Sequence, residues 1–395
     1  MGTKDDVNLP NQSVPWDLEA LYQAGPVYSA PEFEEGEIKA IFYEGLPYQA
    51  NSTRVFAYYG IPESSSEAKV PGIVLVHGGG GTAFKEWVRI WVDKGYAAIA
   101  MDLEGHIGTV KNCDGMWPGH EWSGPARQGE FKDYELPVED QWMYHAAADV
   151  IQAHSILRAF DQVDTERIGV HGISWGGIVT SLVAGVDDRF SFAIPVYGCG
   201  YLYEAGNQYG KSFADMPPED RQRTKQLWDP SSYFHRISMP MLWVNGSHDP
   251  HFPLQLFSKS YVASQQGVAP TNLSMQFGLR HSHSAGWQPQ EIYQFADHIT
   301  KAGPSLPQLS LPERSGMNVK VVISSDAPIV KAVCCYAADI ADWFNVEWSF
   351  KDAQLELAAN EIHATLADTA AAYFIQVTDE RGNVVSTPIQ MLTYI

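Results

Sequence analysis

Cysteine is scarce in this chain: four residues in 395, at positions 113, 199, 334 and 335. Cys334 and Cys335 are neighbours and make a poor pair, and no C-x-x-C occurs. Neither a disulfide scaffold nor a cysteine zinc site is therefore expected. Positive charge is also short. Lys and Arg number 26 against 47 Asp and Glu, a formal net charge of −21. That balance argues for a soluble acidic protein and against non-specific binding of nucleic acid or of an anionic membrane. No apolar run approaches the ~20 residues of a membrane span. The opening Met1-Gly2-Thr3-Lys4-Asp5-Asp6 has no apolar signal core. A cytoplasmic location is expected as the chain stands, and a secreted or periplasmic one if a signal peptide once preceded residue 1. What is plentiful is apolar and aromatic material, 45% and 12% of the chain, ample for a core. The length suggests two or three domains.

Residues 1–51 read as an extension packed on the main domain, with a short helix after Pro15-Trp16-Asp17-Leu18 and an extended segment from Glu34 to Tyr43. The tract Ser64-Ser65-Ser66 reads as a loop. An α/β rhythm then begins. Gly72 to Val76 is a continuous apolar run, as expected of a strand buried on both faces. Phe84 to Lys94 has helical spacing through Phe84, Trp87, Val88 and Trp91, and Tyr96 to Met101 is the next buried strand. Strand, helix and strand at this spacing imply a parallel sheet. Residues 106–140 break the rhythm with Gly, Pro, Trp and charge, which suits a binding loop or a surface excursion. Gln141 to Phe160 reads as a long helix. Buried strands follow at Phe192 to Val196, Met241 to Val244 and Leu273 to Phe277, and a closing helix spans Pro289 to Thr300. Residues 303–316 read as a linker. Residues 317–395 switch to strands at Val319–Ile323, Val330–Tyr336, Ala371–Thr378 and Pro388–Tyr394. A hairpin turn stands at Glu380-Arg381-Gly382-Asn383. Together these predict a small β-sandwich.

The stretch that carries chemistry is Gly172-Ile173-Ser174-Trp175-Gly176-Gly177. The apolar run Ile168–Val170 precedes it and Ile178–Val183 follows it. This is the strand–turn–helix context in which a G-x-S-x-G serine becomes a nucleophile. A hydroxyl is a weak nucleophile by itself, so a base and an orienting acid are needed. Asp249 stands just past the strand at 241–244, 75 residues after Ser174. His281 and His283 stand just past the last strand. The order Ser, Asp, His is that of α/β-hydrolases. Counting from Phe277, the three-residue turn Gly278-Leu279-Arg280 delivers His281; His283, the alternate base, needs two residues more. The glycine run after His77 invites bare backbone to approach a substrate. Gly79 and Trp175 are the expected oxyanion donors.

Other residues carry weaker readings. His248, Asp249, His251, His281 and His283 could be read as a metal cluster, but loop packing is the ordinary role for the extra histidines. Metal and cofactor are both expected to be none. His171 reads as packed. Trp117, Trp122, Trp175, Trp228 and Trp287 could line a cleft, or serve as core and rim. Asp102 and Glu104 follow a strand end with no fixed role.

The motifs Val76-His77-Gly78-Gly79-Gly80, Gly95-Tyr96-Ala97-Ala98, Gly172 to Gly177, Asn245-Gly246-Ser247-His248-Asp249 and His281-Ser282-His283 resemble those of the dienelactone hydrolase, acetyl xylan esterase and prolyl-oligopeptidase-like grouping of α/β-hydrolases. The resemblance covers residues 52–302. Ala337-Ala338-Asp339 to Trp348 is similar to the β-rich tail of the PhoPQ-activated pathogenicity-related family. Two departures are visible. No seven-bladed propeller precedes the hydrolase region, and Glu104-Gly105-His106 stands where cephalosporin-deacetylase-type esterases carry Arg-Gly-Gln.

The expected fold is an α/β-hydrolase, a mostly parallel sheet flanked by helices, with a small C-terminal all-β sandwich. The expected activity is cleavage of carboxylic esters by Ser174, His281 and Asp249 through an acyl-enzyme. Small acyl esters are the favoured partners, acylated carbohydrate among them. A prolyl-oligopeptidase-like serine peptidase and a non-catalytic hydrolase-fold binding protein are the alternatives. The sequence leaves the oligomeric state open.

Overall fold

The computed structural model describes residues 14–63, 68–265, 271–356 and 358–392. The Ser64–Ser66 tract lies outside them, as do the last two residues of the expected final strand.

Among the described residues nine strands form the main sheet: β1 Val27–Ser29, β2 Lys39–Glu44, β3 Arg54–Gly60, β4 Val70–Val76, β5 Ala97–Met101, β6 Val163–Ile173, β7 Phe192–Val196, β8 Met241–Gly246 and β9 Thr271–Gln276. Their order is β1-β2-β3-β5-β4-β6-β7-β8-β9. From β5 to β9 the neighbours are parallel, and β1, β2 and β3 add an antiparallel edge. The segment 27–44 thus joins the sheet rather than only lying against it.

The parallel strands are apolar on both faces because helices cover both. On β6 the two faces can be told apart, since successive side chains point opposite ways. His171 meets Trp87 and Trp91 of the helix Lys85–Asp93. The neighbouring Gly172 meets Thr180 of the helix Trp175–Val183. Trp142–Arg158 packs beside the latter helix, and Gln290–Lys301 reaches the former through Trp91 and Tyr293, whose ring centroids are 4.9 Å apart. Two helices absent from the sequence reading, Gln208–Asp215 and Pro218–Trp228, lie in the β7–β8 crossover. The second is polar over most of its length, burying only Thr224 and Trp228, so it has no apolar stripe to announce it. Among the described residues no helix is long and apolar enough to cross a membrane.

Residues 308–392 form two antiparallel five-stranded sheets. One centres on Asn318–Ser324, where Val319, Val321 and Ile323 are buried at alternate positions. The other centres on the pair Ile329–Ala337 and Ala372–Asp379, and the turn at 380–383 connects the latter to Val384–Ser386. This region covers the free side of β9. Gln376 Nε2 donates to Met275 O at 2.7 Å, Met275 N donates to Ser386 Oγ at 3.3 Å, and Val384 N donates to Glu291 Oε1 at 2.6 Å. Phe277 packs on Phe350 and Phe374. An uncovered edge strand is a template for aggregation, so this contact protects the sheet. All four cysteines are free, with Cys113 exposed and the rest buried.

Candidate active site

β6 stops at Ile173 and a helix starts at Trp175, so one residue turns the corner. Ser174 takes φ 59° and ψ −117°. An L-residue seldom sits at positive φ, and a backbone held there by its surroundings is a mark of functional sites. The surroundings are tight. A Cβ on Gly172 would stand 2.1 Å from Gly176 O, and one on Gly176 would stand 2.0 Å from Val76 O. Both glycines are obligatory for this approach. Ser174 N donates to Val196 O at 2.9 Å, tying the corner to β7.

Asp249 sits in the loop after β8 and is 4% exposed. Its Oδ1 accepts from the backbone N–H groups of His251 and Phe252, each at 2.8 Å. Its Oδ2 lies 2.6 Å from His281 Nδ1, and His281 Nε2 lies 2.9 Å from Ser174 Oγ. A carboxylate only accepts, so Nδ1 carries the ring proton and Nε2 is free to receive the serine's. The ring is held by Tyr197 at 4.4 Å and His251 at 4.7 Å between centroids. Tyr197 also donates its hydroxyl to Arg280 O at 2.6 Å, fixing the backbone just before the histidine. The turn from β9 is made by Gly278 at φ 83°.

The alternate histidine goes elsewhere. His283 Nε2 accepts the Gly78 N–H at 2.9 Å, and its ring centroid lies 4.8 Å from that of Phe84. Burial, and then the neighbouring His77, push its pKa down to about 4. Gly78 O accepts from Gly81 N at 3.0 Å and lies 2.7 Å from His77 Nδ1. His77 Nε2 accepts from Leu103 N at 2.8 Å, so its proton is on Nδ1. Gly79 and Trp175 both border the space in front of Ser174. Neither amide donates a hydrogen bond among the described residues.

That space has a volume of about 360 Å³. Sequence reading missed much of its wall. Arg127 and Glu130 come from the irregular 106–140 segment, Gln208 and Tyr209 from the 208–215 helix, and His251 from the loop of Asp249. Only the aperiodic, Gly- and Trp-rich character of 106–140 hinted at a wall. Arg127 Nε donates to Glu104 Oε1 at 3.1 Å, and its guanidinium lies 4.9 Å from the Trp175 ring centre. Glu104 thereby acquires a partner, whereas Asp102 is a loop organiser whose Oδ1 accepts from Glu104 N and His106 N.

The histidine cluster does not assemble as a metal centre. His248 Nδ1 bonds Ser247 and His251 Nδ1 bonds Gln208. Among the described residues the one group with metal-ligand spacing is Glu356, Glu361 and His363, on the C-terminal sheet. His171 is fully buried, and burial alone pushes its pKa down to about 3. The five tryptophans disperse. Trp175 lines the pocket and Trp117 donates Nε1 to Gly80 O at the rim. Trp228 is buried against Gln141, Trp287 packs on Phe84 and Trp87, and Trp122 packs on Phe42.

Two family models match overlapping parts of the chain. "Prolyl oligopeptidase family" matches residues 125–302, and "Acetyl xylan esterase (AXE1)" matches residues 24–204. The "Uncharacterized peptidase YuxL" of Bacillus subtilis (strain 168) is 25% identical over 252 residues, 60% of this chain and 35% of that protein. The "Dipeptidyl-peptidase 5" of Aspergillus oryzae is 23% identical over 241 residues, 56% of this chain and 30% of that one. The chain spans about a third of the length of these curated relatives. Among solved structures, the acetyl xylan esterase from Paenibacillus sp. R4 superposes with TM-score 0.54 at 21% identity, over 71% of this chain and 92% of that one. Acetyl xylan esterase 1 from Thermoanaerobacterium sp. JW/SL YS485 gives 0.53 at 18%, over 72% and 94%. The Pyrococcus horikoshii acylaminoacyl peptidase gives 0.50 at 20%, over 68% and 43%. Structural likeness at these identities speaks to the fold, and each family model matches less than half of the chain. The chain has the α/β-hydrolase fold and is similar to the acetyl xylan esterases and the prolyl-oligopeptidase-like hydrolases.

Proposed function

We propose that this protein is a serine hydrolase that cleaves carboxylic esters through an acyl-enzyme. The observation that carries the reading is the continuous chain Ser174 Oγ, His281, Asp249, with spacings of 2.9 Å and 2.6 Å. In this mechanism His281 Nε2 takes the Ser174 proton as Oγ attacks the ester carbonyl carbon. The carbonyl oxygen becomes an oxyanion, met by the N–H groups of Gly79 and Trp175. Asp249 remains ionised, holds the imidazole in its tautomer and stabilises the imidazolium. Collapse breaks the C–O bond, and the leaving alcohol receives the proton from His281. Water then attacks the acyl-enzyme by the same route, releasing the acid and restoring Ser174.

Small acyl groups suit the modest pocket of about 360 Å³, and the polar wall of Arg127, Glu130, Gln208 and His251 suits a hydroxyl-rich alcohol such as a carbohydrate. Two acetyl xylan esterases align with this chain over nearly their whole length. A peptidase is the second reading. It is favoured by one observation: the prolyl oligopeptidase model spans Ser174, Asp249 and His281 together, whereas the esterase model ends at residue 204. A substrate panel decides between them. Hydrolysis of p-nitrophenyl acetate and acetylated xylo-oligosaccharides is expected. Turnover of aminoacyl amides without turnover of acetyl esters would transfer the assignment to the peptidase.

A further inference from the structure

His283 stands two residues from His281 yet faces away from Ser174, onto the glycine turn. The peptide unit that joins Gly78 to Gly79 explains why this matters. It is trans, as all described peptides are, so the Gly79 N–H points opposite to the Gly78 carbonyl. That carbonyl is held by Gly81 N at 3.0 Å and by His77 Nδ1 at 2.7 Å. The preceding amide, Gly78 N–H, is held by His283 Nε2 at 2.9 Å. Two bonds therefore hold the Gly78–Gly79 peptide plane and the third holds the peptide unit before it, and the free polar group of the Gly78–Gly79 plane is the Gly79 N–H at the pocket wall.

We propose that His283 is a positioning residue: by accepting the Gly78 N–H it anchors the peptide unit that leads into Gly78–Gly79, and so keeps the Gly79 amide aimed at the oxyanion. This rests on the hydrolase reading above. The donor of the bond is an amide, so Nε2 must be unprotonated, and the ring stays neutral with its proton on Nδ1. The surroundings favour that state. The ring is partly buried against Phe84, and the charge-bearing groups that bear on it are His77, His281 and Lys111, all potential cations. A protonated ring would set donor against donor at Gly78.

The space is fitted to this contact. An added Cβ on Gly81 would lie 2.7 Å from His283 Nε2. One on Gly78 would lie 3.1 Å from the same atom and 2.9 Å from Ser174 Cβ. The glycine turn is thus clasped between the nucleophile and this imidazole. Ser282, between the two histidines, caps the short helix His283–Gly286 by accepting from Ala285 N at 3.1 Å. One capped tripeptide, His281-Ser282-His283, so sets the base and the oxyanion donor in a common register.

Three variants test this beside Ser174→Ala, with acetyl ester turnover and binding of a trifluoromethyl ketone as readouts. The ketone forms an oxyanion-bearing adduct, so its affinity follows the donor geometry and not substrate binding alone. His283→Leu removes the acceptor and should lower kcat by about 10²–10³, the scale of one lost oxyanion donor, with KM nearly unchanged. Ketone affinity should fall in parallel. His283→Gln places an amide oxygen near the Nε2 position and should restore most of kcat. His283→Asn is too short to do so and should resemble Leu. A folded His283→Leu that keeps wild-type kcat, beside an inactive Ser174→Ala, overturns this proposal and leaves the hydrolase reading intact. If the leucine variant does not fold, equal activities in the Gln and Asn variants overturn it. Turnover retained in Ser174→Ala overturns both.

Discussion

Replacing Asp249 by Asn changes one atom, and the structure fixes which way the new amide must turn. Oδ1 of Asp249 accepts two backbone N–H groups, from His251 and Phe252, at 2.8 Å each. An amide NH₂ placed there would set donor against two donors in a site that is 4% exposed. The cost of two buried unsatisfied amides is about 1–3 kcal/mol each, so the amide oxygen takes that position. The NH₂ is then forced toward His281 Nδ1, 2.6 Å from Oδ2 in the native protein. His281 must accept at Nδ1 and carry its proton on Nε2, where it faces the Ser174 hydroxyl and cannot remove its proton. The expected loss is about 10⁴ in kcat, equivalent to about 5 kcal/mol on the barrier. KM and the unfolding midpoint should move little, because both loop bonds survive. The assay is steady-state hydrolysis of p-nitrophenyl acetate beside a urea melt. A variant within tenfold of wild-type kcat would refute the reasoning and place the acid elsewhere. Asp249→Ala should instead unfold more easily, since it leaves the two loop amides unpaired.

Ending the chain at Gly303 should lower stability and solubility, because β9 loses its cover and Phe277 loses both ring partners. A soluble 1–303 fragment with an unchanged melting temperature would refute that. His171 gives stability a pH dependence. Its folded pKa, about 3, lies below the ordinary value near 6.5, so the unfolded chain takes up the proton first. Its contribution is complete above about pH 6.5 and declines as pH falls from there toward 3, by up to about 1.4 kcal/mol per unit. Urea melts at pH 7 and pH 5 should show a shallower loss in His171→Leu than in wild type; equal losses would refute the assignment.

The sequence was most legible where chemistry forces residue types together. The strand–serine–helix corner is readable because only glycine tolerates the 2.0–2.1 Å approaches at 172 and 176. Counting three residues from Phe277 points to His281, and Gly278 at φ 83° makes that short turn feasible. Less legible were features that depend on long-range placement. The glycine run announced an approach of bare backbone but not that Gly78 would be bound by His283, 205 positions away. Arg127 and Glu130 lie in a segment without periodicity, so no pattern could aim them at the pocket. β1 is three residues long and β2 carries a charge at each end, and only the pairing of β1 with β2 and of β2 with β3 reveals them as sheet. The metal alternative drew on two short clusters, 248–251 and 281–283, but His248, His251 and His283 turn to different partners.

Trapping the covalent intermediate tests the central claim most directly. The protein is mixed briefly with p-nitrophenyl acetate, quenched in acid, digested and read by mass spectrometry, with Ser174→Ala alongside. One acetyl group is expected on the peptide bearing Ser174, with none in the alanine variant and a turnover loss there on the order of 10⁶. An acetyl group on another residue, or more than about a tenth of wild-type turnover in Ser174→Ala, would contradict it.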